Sequence, residues 1–129
     1  MKKRNTLLFL FTLLMSLTAM AQQKPVHFTV QQKQVSPTEV DVIFTAKIDQ
    51  GWHIYSTNLP AGGPTSASLH VEKSEGVTPV GRLTPHGKET SAYDKNFEMT
   101  LRYFEHSASF VQRYKITAKT YSIKGYQIG

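Results

Sequence analysis

The chain of 129 residues has no cysteine, which excludes a disulfide framework, a thiolate metal site and a cysteine nucleophile. With 8 glycines and 6 prolines it is too poor in both for a collagen-like or low-complexity chain. No Gly-x-Ser-x-Gly turn is present to raise a serine nucleophile. Gly62-Gly63 is not followed by Gly-Lys-Ser/Thr, so it reads as a turn and not as a phosphate loop. The five histidines (His27, His53, His70, His86, His106) never stand two or four apart, the spacings that put two imidazoles on one side of a local element. No segment keeps a helical apolar stripe. Beyond Lys2-Lys3-Arg4, lysine and arginine are scattered singly, without the basic run or stripe of a nucleic-acid binder. These absences leave no metal ligand set, no cofactor motif and no catalytic residue to name.

What is present begins with a leader. Lys2, Lys3 and Arg4 precede an apolar run from Leu7 to Leu17, and Ala19-Met20-Ala21 offers small residues where a signal peptidase reads. The run falls short of the roughly 20 residues that a bilayer span needs. The reading is a signal peptide over residues 1–21, cleavage before Gln22, and an exported, periplasmic mature domain over 22–129 that does not span a membrane. Gln22 stands where a lipoprotein would carry its acylated cysteine. Loss of the leader removes three basic residues and leaves twelve against nine acidic ones, a net charge of +3.

Beyond the leader the apolar period is two. Val26, Phe28 and Val30 alternate with polar residues, and after Ser36-Pro37-Thr38 the row Val40, Val42, Phe44, Ala46, Ile48 does the same, which predicts two strands and a turn. Leu69 and Val71 share a face, as do Phe97, Met99, Leu101 and Tyr103, then Phe110, Tyr114, Ile116 and Ala118. The apolar parity changes before Tyr121 and Ile123, through either a bulge near Thr120 or the end of the strand. Ala61 to Pro64, Ser74 to Gly76 and the polar stretch Thr84 to Ser91 read as loops. About six to eight short antiparallel strands with one apolar face each need a second sheet to cover that face. The expected fold is all-β, an immunoglobulin-like antiparallel β-sandwich, with Phe44, Leu101 and Ile116 buried between its sheets.

Gly51-Trp52-His53-Ile54-Tyr55 is denser in aromatics than its surroundings. On one reading Trp52 and Tyr55 plug the core at a sheet corner. On the other, His53 and Tyr55 line a contact surface at one end of the sandwich, where loops gather.

The order of leader, alternating strand, Asp49 to Tyr55, Gly/Pro loop, Pro85-His86-Gly87-Lys88-Glu89, Tyr93 and a Phe-x-Met-x-Leu strand resembles the N-terminal periplasmic domain of DsbD-type thiol:disulfide interchange proteins, as found in Bacteroidetes. The resemblance covers roughly residues 26 to 124. It implies an immunoglobulin-like domain that takes electrons from the membrane-embedded part of a DsbD-like protein and passes them to periplasmic thioredoxin-like partners. It further implies that Tyr55 belongs to an aromatic motif beside the reactive site, and that Leu83 to Lys88 form a cap. By resemblance the contact set is Trp52, His53, Tyr55, Leu83, His86, Gly87, Lys88 and Tyr93. The family carries its cysteine pair in a Cys-x(4 or 5)-Cys-x-Pro segment after a strand like Lys115 to Ile123, and this chain has none. Disulfide exchange needs a thiolate, so the expectation is a domain that stops before its reactive segment and is inactive as it stands. The alternative is a complete cysteine-free relative, a sandwich that binds a protein or a glycan through Trp52, Tyr55 and Tyr93.

Overall fold

The computed structural model describes residues 24–129; the leader and the cleavage site before Gln22 lie outside the described residues. Within them the chain is all-β. Nine strands follow one another: β1 (Val26–Ser36), β2 (Glu39–Ile48), β3 (Ile54–Tyr55), β4 (Leu69–Glu75), β5 (Val77–His86), β6 (Glu89–Asp94), β7 (Met99–Phe104), β8 (Ser107–Ile116) and β9 (Ser122–Ile128). They form three antiparallel sheets, ordered β1-β2-β8-β5, β3-β7-β6 and β4-β9.

β1 and β2 make the expected hairpin, running from Val26 opposite Ile48 to Ser36 opposite Glu39, with Pro37 and Thr38 at the turn. The β2 row Val40, Val42, Phe44, Ala46, Ile48 is buried, and β8 sets Tyr114, Phe110 and Ala108 directly across from Val40, Phe44 and Ala46. Period-two alternation thus puts two apolar rows on one face of the four-stranded sheet. The other sheets supply the cover. Phe104 of β7 meets Phe110 edge to face at 5.9 Å, and Tyr126 of β9 meets Phe44 the same way at 5.6 Å. Ile123, Leu69, Val71 and Ile54 complete the same cluster.

Two polar residues in these strands are buried and paid for by geometry. Asp41, on the outer row of β2, is 7% exposed. Its cross-strand partner Arg113 donates through Nε to Oδ1 at 2.9 Å and through Nη2 to Oδ2 at 3.1 Å, a bidentate pair. Gln112 sits in the inward row of β8, where its Nε2 donates to the carbonyl oxygens of Val80, Gly81 and Arg113. Val80 and Gly81 belong to a bulge in β5, where the register shifts between Val80 and Thr84. The amide supplies hydrogen bonds to carbonyls that the interrupted ladder leaves free.

Several sequence expectations need correction, among them the loop at Ser74 to Gly76, where Ser74 and Glu75 pair with Ile123 and Ser122 in β4. The stretch Thr84 to Ser91 is not one loop: Thr84, Pro85 and His86 pair with Val111, Phe110 and Ser109, and β6 begins at Glu89. Pro85 is tolerated because β5 is an edge strand. This extra pairing, together with short β3, raises the strand count among the described residues to nine. Leu101 is buried, yet it does not join the main cluster; alternation along β7 turns Phe104 toward the core and Leu101 to the opposite face. Ile116 is half-buried at the edge of that cluster. As for the parity change before Tyr121, β8 ends at Ile116 and a new strand, β9, pairs with β4.

Candidate functional site

The aromatic segment starts where β2 leaves its sheet. Ile48 N donates to His106 O and Asp49 N to Pro25 O, both at 2.8 Å, and Trp52 N closes a turn on Asp49 O at 3.0 Å. Gly51 takes φ +85°, which a side chain rarely adopts, so a glycine serves the turn here. The turn delivers Trp52 to the surface, 57% exposed. The reading of Trp52 as a core plug is therefore wrong: the chain reverses before the indole can reach the apolar cluster.

β3 then pairs Ile54 with Phe104 and Tyr55 with Tyr103. Ile54 packs on the core, and alternation sends Tyr55 to the other face beside Tyr103. The His53 ring lies edge-on to Tyr55 at 5.2 Å and tilted against Tyr103 at 5.1 Å. These three rings wall a hollow of about 230 Å³, which Tyr93, Asp94, Leu101 and Glu105 complete. Asp94 Oδ1 is already engaged, accepting from Asn96 N and Phe97 N at 2.8 and 3.0 Å. A second, more apolar hollow of about 300 Å³ is also lined by His53 and Tyr55, here with Val26, Phe28, Ile128 and Gly129. His53 and Tyr55 are common to both.

The expected contact residues separate into two groups. His53, Tyr55 and Tyr93 come together in the first hollow, and Tyr93 is 65% exposed. Trp52 adjoins them in sequence on the exposed turn. Leu83 lies elsewhere, half-buried against the core and lining a third hollow with Arg82 and Gln112. His86, Gly87 and Lys88 are exposed at the corner where the chain passes from the first sheet to β6. Leu83 to Lys88 is thus not a free loop; the β5 ladder fixes its middle. Gly87 has φ +134°, and a Cβ there would stand 3.5 Å from Phe104 and Ala108.

The sequence reading missed Tyr103 and Glu105. Tyr103 belongs to an alternating row that the sequence assigns to the core, and only its pairing with Tyr55 shows that the row faces away from the main cluster. No local signal marks that pairing. Nor did it reveal the bonds behind the aromatic face. Arg102 Nη1 reaches Glu89 Oε2 at 3.3 Å, while Nη2 donates to Thr57 O and Asn58 O, fixing the chain that leaves Tyr55. Among the described residues no three His, Asp or Glu side chains gather as a metal set. Rings, phenol hydroxyls and carboxylates equip the surface to bind by stacking and hydrogen bonding. No protein-family model, curated protein or solved structure matches this chain.

Proposed function

We propose that the chain folds as an immunoglobulin-like sandwich of the DsbD N-terminal type, exported to the periplasm, and acts as the docking scaffold of such an electron-transfer domain. The sheets β1-β2-β8-β5 and β3-β7-β6 would be its two layers, with β4-β9 closing the cover. Its partners would be a periplasmic thioredoxin-like protein and the membrane-embedded part of a DsbD-like protein. Lacking cysteine, the chain exchanges no disulfide itself.

One observation carries this reading: Gly129, just past β9, lines the same hollow as His53 and Tyr55. A segment continuing from Gly129 would start beside the aromatic residues that the resemblance puts next to a cysteine pair. The test is to append Cys-x(5)-Cys-x-Pro after Gly129. Ile123 is unsuitable as a graft point because β9 continues in register with β4 to Ile128. The grafted chain should exchange with a thioredoxin-like partner, and Tyr55→Ala should slow that exchange while small thiol reagents still react. A pair that reacts with reagents but never with the partner overturns the reading, as does reductase activity in the unaltered chain.

A second reading draws on the exposure of Trp52 and Tyr93 beside a hollow edged by Asp94 and Glu105. Such rings and carboxylates suit a glycan or a protein loop, with no sulfur involved. Binding of an oligosaccharide that Tyr93→Ala abolishes would favour it.

A further inference from the structure

β1 is the outer strand of its sheet, and among the described residues no strand pairs with its far side. Its even-numbered side chains share the face that β2 buries: Phe28 lies opposite Ala46 and Val30 opposite Phe44. Yet Phe28 is 43% and Val30 40% exposed, because the cover of β4-β9 does not close over the edge. Beside them lies an apolar hollow of about 370 Å³, walled by Phe44, Tyr126 and Ile128. Two residues beyond Val30, Gln32 Nε2 donates to Ile123 O at 3.1 Å and ties β1 to β9. An unpaired edge that carries apolar side chains is a template for another strand.

We infer that the strand it takes is β1 of a second copy, paired antiparallel about a two-fold axis through Phe28. The row Val26, Phe28, Val30 has the same apolar pattern in both directions. Pairing about Phe28 sets Phe28 against Phe28, Val26 against Val30 and Lys24 against Gln32, so every apolar member of the row meets an apolar partner. On the outer face His27 meets Thr29. Lys33 falls outside the span Lys24–Gln32, and no like charges oppose each other. Moving the axis to Thr29 would set Val26 against Gln32, and moving it to His27 would set Val30 against Lys24. A strand added here directs its inward row over the hollow that Phe28, Val30 and Tyr126 leave open. One strand pair is near the small end of specific interfaces, roughly 1,200 Å² in total, which makes the dimer a weak, micromolar one. Val26 and Phe28 also line the hollow that Gly129 reaches, but the pairing needs no thiol partner, and oligomeric state tests it without one.

Because the chain has no cysteine, a single introduced one reports unambiguously. Residues opposite each other in an antiparallel pair have Cα atoms about 4.5 to 5.5 Å apart, within disulfide reach. Under mild oxidation Phe28→Cys should form a linked dimer, whereas Val30→Cys, opposite Val26 of the second copy, should stay largely monomeric. Sedimentation equilibrium of the unaltered protein should give a monomer–dimer Kd in the micromolar range. Val30→Lys should weaken it at least about tenfold with an unchanged melting temperature, since the position is exposed in the monomer. A chain that stays monomeric at millimolar concentration overturns the inference. So does linkage of Val30→Cys as readily as Phe28→Cys, which would signal random encounter or another register.

Discussion

Ser56 Oγ donates to Glu89 Oε2 at 2.6 Å, joining the end of β3 to the start of β6 across β7, which lies between them. Arg102 on β7 meets the same carboxylate, so one glutamate ties all three strands on a single face. Ser56 is fully buried and follows Tyr55 directly. The aromatic face is therefore backed by a polar clasp on the reverse side of its sheet.

Glu89→Ala removes the acceptor and strands a buried hydroxyl, which should cost about 1.5 to 3 kcal/mol, read as a lower urea midpoint at unchanged slope. Glu89→Gln keeps an acceptor for Ser56 and should lose less. The Arg102 contact is partly exposed and contributes little by itself, so the loss should persist in high salt. A loss that salt abolishes would assign it to the ion pair and not to the Ser56 bond.

Two phenylalanines on the same face of the same sheet should respond very differently. Phe44 is buried, with Phe110 across from it and Tyr126 edge-on, so Phe44→Ala should cost about 3 to 5 kcal/mol. Phe28, one strand outward and 43% exposed, should cost under about 1 kcal/mol when replaced by Ala. Comparable losses would mean that the cover extends over β1 in solution.

This contrast marks how far the sequence is legible. Alternation at Val40 to Ile48 identifies the strand and its inward face because one side meets oil-like packing and the other water. The same alternation at Val26 to Val30 looks identical, yet its burial depends on how far β9 reaches, a tertiary fact. The row Met99, Leu101, Tyr103 is misread for a related reason. β7 has apolar residues on both faces, and only its neighbours decide that Phe104 enters the core. At Thr84 to Ser91, Pro85 and Gly87 mimic a loop, since local chemistry does not reveal that β5 is an edge. For the site, His53 and Tyr55 are visible as an aromatic cluster, while Tyr103, Glu105 and the Ser56–Glu89 bond arise from strand pairing alone.

Stability should fall in alkali through Tyr114. Burial raises its phenol pKa above the ordinary 10.0, because the charged form is disfavoured away from water. Above about pH 10 the unfolded chain releases this proton while the folded chain retains it, so the folded state binds more protons and stability declines as pH rises. Below that range both states are protonated and the group has no effect. Tyr114→Phe should flatten this part of the decline between about pH 9 and 11, measured as the difference in chemical-denaturation midpoints against the unaltered protein. Identical slopes would show that other groups account for the whole decline.

Trp52 gives the proposed docking surface its own reporter, because it is the single tryptophan of the chain and is more than half exposed. Alone, the protein should emit as a solvated indole. Docking of a thioredoxin-like partner onto the face of His53 and Tyr55 withdraws water from the neighbouring ring and should shift emission to shorter wavelength. Trp52→Ala and Tyr93→Ala should each weaken binding by about 1 to 2 kcal/mol, a factor of roughly 5 to 30 in Kd. Tyr93→Ala keeps the reporter, and calorimetry follows Trp52→Ala. Neither substitution should move the melting temperature, since neither ring contributes to the apolar cluster. That pairing of effects separates recognition from packing: a ring that helps hold the fold lowers stability first, whereas one kept in water by the turn at Gly51 affects only the complex. Unfolding of Trp52→Ala would return the indole to the core, and unchanged affinity in both variants would move the docking surface away from this end of the molecule.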